Sequence, residues 1–398
     1  MPTVLRIATR LNRGGPLRQL AGLVPALRRL GWSGPVVVGH VDRGESDGGS
    51  ALAGADLRVL PALRRGLSAW RDARALRAIM ALAREVAPDV IHTHMGKAGA
   101  LGRWAAHRLG IPCVHTLHGH HLDAPGWRGL LAVRAERMLA RRCSRLVVLS
   151  ERQRRDVVDV HRVAPASRVA VVGPGLDLDV VREAGRSPPC AGGVESARAS
   201  GWLGEPIPAF VWCGRLVEVK QPWLALEAAA AAGRPWRLVM VGQGVLDARL
   251  RALRDRLGLR DRVALVGEAA EAAPWIARAR GLVLTSRSEG TPMVMLEAFA
   301  LGRPVVAPTV GGIPDLLAHD EQGLWVPPGD PRSLALALDR LSGDEALCER
   351  LAQGARLAGP RHDSAQQACR LAALYAEVVA SAPGGRRSGA AVPVASAS

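Results

Sequence analysis

A chain of 398 residues with 48% hydrophobic side chains can fill the cores of two domains of ordinary size, and no apolar run approaches the length of a membrane span. The formal net charge of +17 is almost all arginine, since Lys97 and Lys220 are the only lysines; GC-rich coding and an anionic partner both account for it. Aromatic residues are 3% and the arginines are dispersed, so a single-stranded nucleic-acid binder with stacking side chains is disfavoured. None of the six cysteines forms C-x-x-C and no His/Cys set has metal spacing, which fits reduced cysteines acting as small hydrophobes. Met-Pro leads almost directly into a strand with no leader pattern, so the expected location is cytoplasmic.

Val4–Thr9 is the first expected strand. Asn12-Arg13-Gly14-Gly15 follows, a turn in which two glycines let backbone approach a ligand or simply turn tightly. A helix is expected over Pro16–Leu30, with Leu17, Leu20, Val24 and Leu27 as its buried stripe and a kink at Pro25. Pro35–Gly39 reads as a strand, 40–55 as a Gly-rich loop, and Arg64–Val86 as a helix with apolar positions Leu67, Trp70, Ala73, Leu76 and Met80. Asp89–His94 is a strand, Gly99–Arg108 a helix, and Ile111–Leu117 a strand running into His118-Gly119-His120-His121. His92, His94, His118 and His120 invite a metal reading, but no carboxylate accompanies them at ligand spacing. Trp127–Arg145, WRGLLAVRAERMLARRCSR, is an amphipathic helix with an arginine face. It either packs on its own sheet or offers a surface for an anionic membrane. Leu146–Leu149 is a strand, Ser150 a helix cap, and Arg168–Val172 the last strand of the first half.

Residues 186–204 are rich in Pro, Gly, Ser and Ala without periodicity and read as a linker. Strands are expected at Ile207–Cys213, Trp236–Val241 and Arg262–Val266. The first runs into Gly214-Arg215-Leu216-Val217-Glu218-Val219-Lys220, the others into Gly242-Gln243-Gly244 and Gly267-Glu268. Gly281–Pro308 then reads as strand, loop, helix, turn and strand. Thr291 is placed as a hydroxyl N-cap and Pro292 at the first helical position; Met293, Leu296 and Ala300 share the buried face, and Gly302 with Pro304 ends the helix. Glu289 stands in the loop before this helix and Glu297 within it. A helix start suits a phosphate, and acids on either side of it can accept from hydroxyls at both ends of that phosphate. Two glutamates at this spacing on an arbitrary surface would be solvated groups; the marked strand-loop-helix changes that weighing. Leu324–Pro327 is a further strand, helices fill 331–378, and Ser381–Ser398 has the composition of a disordered tail.

SEGTPMVMLEAFALGRPVVAPTVGGIPDLL, together with G-R-L-x-x-x-K and T-L-H-G, resembles the nucleotide-sugar site of GT4-type retaining glycosyltransferases, over roughly residues 3–378. The resemblance implies an α/β fold of two Rossmann-like parallel-sheet domains facing across a cleft, the GT-B architecture. The expected division is 1–185 on the acceptor side, 186–204 as linker, 205–365 holding the nucleotide-sugar donor, 366–380 crossing back to the first domain, and 381–398 as tail. It implies that Arg215 and Lys220 grip the donor diphosphate, Glu289 acts on the sugar, Glu297 holds the ribose, and His118 contacts the sugar. Gly14, Gly15, Gly214, Gly267, Gly290, Thr291, Pro292 and Met293 would line the donor. Gly173-Pro174-Gly175-Leu176-Asp177 departs from the family's Asn-Gly-Val/Ile-Asp, which removes any role for that asparagine.

The expected activity is transfer of a sugar, UDP-linked by preference, to a hydroxyl acceptor in cell-surface glycan, glycolipid or natural-product synthesis, the acceptor being free or lipid-linked. No cofactor and no metal are expected, because no Asp-x-Asp stands where it would hold one and the cations and helix start can do that work. A sugar-nucleotide 2-epimerase of the same architecture is the rival enzyme, but no separate acid and base for C2 stand out. A basic nucleic-acid-binding protein is the rival from charge alone.

Overall fold

The computed structural model describes residues 1–10, 14–40, 52, 54–118, 126–203 and 205–382. The chain forms two compact units, residues 1–175 with 364–398 and residues 176–363. In the first, β1 (Val4–Arg10), β2 (Val36–Gly39), β3 (Leu57–Val59), β4 (Val90–His94), β5 (Cys113–Thr116), β6 (Arg145–Val148) and β7 (Val169–Val171) form a seven-stranded sheet in the order β3-β2-β1-β4-β5-β6-β7. Every pairing is parallel. Strands such as Val36–Val38 and Val90–Ile91 are buried because helices cover both faces of such a sheet. Those helices are α1 (Gly15–Arg29), α2 (Ala69–Val86), α3 (Gly96–Leu109), α4 (Trp127–Ala140) and the short α5 (Glu151–Arg155).

The expected stripe of α1 is buried, and the helix runs through Pro25 as one element. α2 corrects its expectation. It starts at Ala69, Leu67 and Trp70 are exposed at 91% and 70%, and the buried positions are Ala75, Ile79, Leu82 and Ala83. Of the expected apolar positions, Leu76 and Met80 do pack against this core while Leu67, Trp70 and Ala73 are exposed, because Leu67 precedes the helix and the first turn of α2 lies away from the sheet. α4 stops at Ala140, and Arg145, placed at the end of that helix, instead opens β6. Ser150 does cap α5, accepting from the Gln153 N–H at 3.2 Å. α3 and α4 are joined by a buried ion pair: the Arg103 guanidinium donates to both carboxylate oxygens of Glu136, and its Nε–H donates to the Gly99 carbonyl. Lys97, at the start of α3, is held by Asp72 of α2 at 2.6 Å.

The second unit holds β8 (Ala209–Cys213), β9 (Arg237–Val241), β10 (Val263–Gly267), β11 (Gly281–Val283), β12 (Val305–Pro308) and β13 (Gly323–Val326), all parallel, in the order β10-β9-β8-β11-β12-β13. Its helices are α6 (Leu178–Arg186), α7 (Gly193–Trp202), α8 (Trp223–Ala230), α9 (Asp247–Arg256), α10 (Ala273–Arg278), α11 (Met293–Ala300), α12 (Ile313–Leu316), α13 (Pro331–Gly343) and α14 (Glu345–Ala358). The stretch read as a linker contains α7, whose Ala199 and Trp202 lie in the core. Glu195 ties α7 down, accepting from Arg254 and from the Leu265 N–H. Its Gly, Ser and Ala residues carry too little apolar area to show a period, so the helix is held by tertiary contacts that composition does not reveal. The boundary between units falls at Gly175/Leu176, ten residues before the expected one at 185. The last helix, α15 (Ser364–Ala380), belongs to the first unit and packs on α1 and β4. The expected tail lies outside the described residues beyond 382, as do Asn12 and Arg13 and residues 119–125.

Candidate active site

In an open parallel sheet, ligands bind beyond the carboxyl ends of the strands where the strand order reverses. That point lies between β8 and β11 in the second unit and between β1 and β4 in the first.

The loop after β8 ends in a 3-10 turn at Glu218–Lys220, and the loop after β11 runs from Leu284 to Pro292. They meet through side chains. Lys220 Nζ lies 2.5 Å from Glu289 Oε1, and Ser286 Oγ donates to the same oxygen at 2.5 Å. Glu289 is 7% exposed, while Lys220 keeps 25% of its side chain accessible. Thr285 locks the two loops at the backbone: its hydroxyl donates to the Lys220 carbonyl at 2.8 Å and accepts from the Trp212 indole N–H at 2.9 Å. Arg287 N–H also donates to the Val219 carbonyl at 2.9 Å. Arg215 is exposed on the β8 loop.

From the other side, Gly312 N–H reaches the carbonyls of Glu289 at 3.2 Å and Gly290 at 3.1 Å. Gly311 makes this approach possible. Its φ is +54°, and a Cβ there would sit 1.7 Å from the Glu289 carbonyl oxygen. Gly214, Gly242 and Gly267 align at the ends of β8, β9 and β10, with Gly214 N–H bonded to Val241 O at 3.0 Å and Gly242 N–H to Gly267 O at 2.7 Å. Gly242, at φ +141°, would place a Cβ 1.9 Å from the Gly214 carbonyl oxygen.

α11 starts one residue later than expected. Pro292 occupies the N-cap position with extended backbone, the helix begins at Met293, and Thr291 lies outside it. The proline ring carries no side-chain acceptor and Met295 N–H turns back to the Pro292 carbonyl at 3.0 Å, which leaves the N–H groups of Met293 and Val294 at the helix start, where an anion is favoured. Glu297 lies within α11 at 1% exposure. The second unit thus places Gly214, Arg215, Lys220, Glu289, Gly290, Thr291, Pro292, Met293 and Glu297 on the loops and helix that follow β8 and β11, and Gly267 at the end of β10, two strands from β8. Ser286, Thr285, Gly311 and Gly312 are the contributors that sequence reasoning passed over; the Gly-Gly-Ile-Pro run was visible, whereas the two hydroxyls carried no pattern. Asp177 and Asp179 form the D-x-D nearest this unit's start, and both are engaged structurally, Asp177 capping α6 and Asp179 pairing with Arg182.

Gly14, Gly15 and His118 belong to the first unit. Gly14 is extended (φ 170°) and Gly15 opens α1, so this turn uses no left-handed glycine. His118 follows β5. Its Nε2 lies 2.9 Å from His94 Nδ1, and His94 in turn lies against His92 with ring centroids 4.2 Å apart. Burial pushes the His118 ring down to about 4 and holds His92 and His94 well below the ordinary histidine value, with Arg6 adding to the shift in both. The protonated form of all three rings is thereby disfavoured. No group of three or more His, Cys, Asp or Glu side chains among the described residues is arranged as a metal site.

Two Rossmann-like parallel sheets, the second with a lysine–glutamate pair and a buried helix at its switch point, are the architecture of GT-B glycosyltransferases. Known proteins agree. A family model described as "Glycosyl transferases group 1" matches residues 207–344 and one described as "Glycosyl transferase 4-like domain" matches residues 14–175. A D-inositol 3-phosphate glycosyltransferase of Thermobispora bispora is 33% identical over 314 residues, 73% of this chain and 71% of that protein. One from Streptomyces bingchenggensis is 32% identical over 372 residues, covering 86% and 76%. Among solved structures, Anabaena HepE in complex with UDP superposes with a TM-score of 0.74 at 21% identity, covering 95% of this chain and 100% of that one. A Rickettsia africae glycosyltransferase superposes at 0.76 and 15% identity, covering 96% and 99%. The chain belongs to the GT4-type family of group 1 glycosyltransferases.

Proposed function

We propose that the protein transfers a sugar from a UDP-sugar to a hydroxyl acceptor with retention of anomeric configuration and without a metal. The observation that carries this reading is the contact between Lys220 and Glu289 at the switch point of the second sheet, next to the start of α11. A cation, an acid and a helix start together suit the diphosphate, the sugar hydroxyls and the charge that develops as the diphosphate leaves. The donor assignment is supported by solved relatives in complex with UDP and UDP-glucose. In the step itself, the bond from the anomeric carbon to the diphosphate oxygen breaks and a bond to the acceptor oxygen forms on the same face. The acceptor's proton passes to the departing phosphate oxygen. Within the second unit, Arg215 and Lys220 neutralise the leaving diphosphate, Glu289 meets the sugar hydroxyls and Glu297 holds the ribose; for His118 of the first unit, contact with the sugar is what the family resemblance implies. The names of the relatives make inositol 3-phosphate the first acceptor to assay, with lipid-linked sugars second.

A thermal-shift panel of UDP, GDP, ADP and their sugars tests the donor, followed by donor hydrolysis with the best binder. Stabilisation by UDP compounds above the others is expected; equal or absent shifts would overturn the donor assignment. The two acids divide the work. Glu289→Ala is expected to lower turnover about tenfold with nucleotide affinity retained, and Glu297→Ala to weaken UDP binding about tenfold, as the loss of one charge-assisted hydrogen bond does. Normal turnover and affinity in both variants would remove both roles.

Turnover is expected to persist in EDTA. Loss of activity on chelation with recovery on Mg²⁺ or Mn²⁺ would refute the electrostatic account. The first unit is also expected to bind anionic membranes through α4, where Trp127, Leu130, Leu131 and Met138 are exposed beside Arg134 and Arg137. Among the described residues no helix is long and apolar enough to cross a membrane. Co-sedimentation with anionic but not neutral vesicles at low salt is the expected result, and equal recovery in the supernatant with both would exclude it.

A further inference from the structure

The face of the first sheet that α15 covers carries a row of polar side chains inside an otherwise apolar interior. Arg6, His92, His94 and Thr116 lie on it, each at 3% exposure or less, beyond Val4, Val90 and Val114 of the same strands. The register sets Arg6 beside His92, and His94 beside Thr116, so the row climbs toward the carboxyl edge of the sheet and His118.

Tyr375 Oη of α15 lies 2.5 Å from His92 Nδ1, and His92 Nε2 lies 2.8 Å from Thr116 Oγ1, so α15 is tied to the row through His92.

In the His94–His118 contact the place of the proton follows from the partners each nitrogen has. One proton lies between His94 Nδ1 and His118 Nε2. If His118 supplied it, neutral His94 would carry its own proton on Nε2. That nitrogen is buried and has no hydrogen-bond partner among the described residues. An orphaned buried N–H is rarer and more costly than an unused acceptor lone pair. The proton therefore sits on His94 Nδ1, and His118 Nε2 accepts it.

We propose that His94 is a positioning residue that locks His118 as its Nδ1–H tautomer, with Nε2 filled from inside the first unit and Nδ1–H available as a donor to the sugar. The last clause rests on the reading that His118 contacts the sugar. A histidine held this way acts as a hydrogen-bond donor and not as a base, and an outer partner of this kind both aims the ring and selects its tautomer.

Full-length protein labelled with ¹⁵N-histidine tests the lock by two-bond nitrogen–proton correlation spectra at neutral pH, His118→Ala identifying the His118 signals by their loss. In the wild type, His118 is expected to show a pyrrole-like Nδ1 and a pyridine-like Nε2. In His94→Leu the ring is expected to shift toward the Nε2–H form, with UDP release from the UDP-hexose that the wild type turns over fastest falling about tenfold. His94→Asn, whose amide N–H can donate from the same place, is expected to keep the tautomer and most of the turnover. A wild-type His118 protonated on Nε2, or an unchanged His118 tautomer in His94→Leu, would overturn the proposal. Should His94→Leu fail to fold, the wild-type and His94→Asn spectra decide it. Full turnover in His118→Ala would instead overturn the reading that His118 contacts the sugar, and the spectra alone would then decide the lock.

Discussion

Lys220→Ala is expected to lower turnover about a hundredfold, equivalent to roughly 3 kcal/mol of transition-state stabilisation. Two effects add. The first follows from the proposed donor site: the diphosphate gains charge as the glycosidic bond breaks, so a fixed cation counts most at that moment. The second comes from the contact with Glu289, whose buried carboxylate would be left with the Ser286 hydroxyl. Lys220→Arg restores charge but not a compact ammonium between loops that Thr285 holds at fixed spacing, so it is expected to recover only part of the rate. Measuring turnover and UDP affinity for both variants separates the effects. Near-full turnover in a folded Lys220→Ala protein would remove Lys220 from the reaction and with it the diphosphate from this switch point.

Glu136→Ala is expected to destabilise the first unit by about 3–5 kcal/mol, because it leaves a fully buried guanidinium without its counter-charge. The pair itself is not expected to be worth that much. Removing both charges together, as in Arg103→Met with Glu136→Leu, is expected to cost far less than Glu136→Ala alone, since neither charge is then left desolvated. The urea midpoint of the transition that unfolds the first unit reads both. Equal losses in the single and double variants would show that shape, and not charge, makes this contact.

Most strands were legible in the sequence because buried parallel strands are short apolar runs, and Val36–Gly39, Val90–His94 and Val305–Pro308 lie within a residue or two of their expected bounds. Helices with a broad apolar face, such as α1, were legible for the same reason. Elements that bury little apolar area were not. β3 fell in a stretch assigned no element, and α7 hid in small residues. α2 was found with only the later half of its face right, Leu76 and Met80 packing on the core while Leu67 and Trp70 are exposed.

The glycine-rich turns and the acids of Gly281–Pro308 identified the family and the residue types of the candidate site, because backbone approach and charge placement demand those residues at those positions. By itself the sequence determined two parallel-sheet domains, the loops of the candidate site and the family. Which of those residues touch was decided only by tertiary structure. Lys220 and Glu289 are 69 residues apart, and His92 and Tyr375 are 283 apart. Strand order puts β8 beside β11 and register puts His92 beside Arg6. Neither leaves a local trace in the chain, because a contact between distant segments depends on how whole elements pack and not on the residues that flank it.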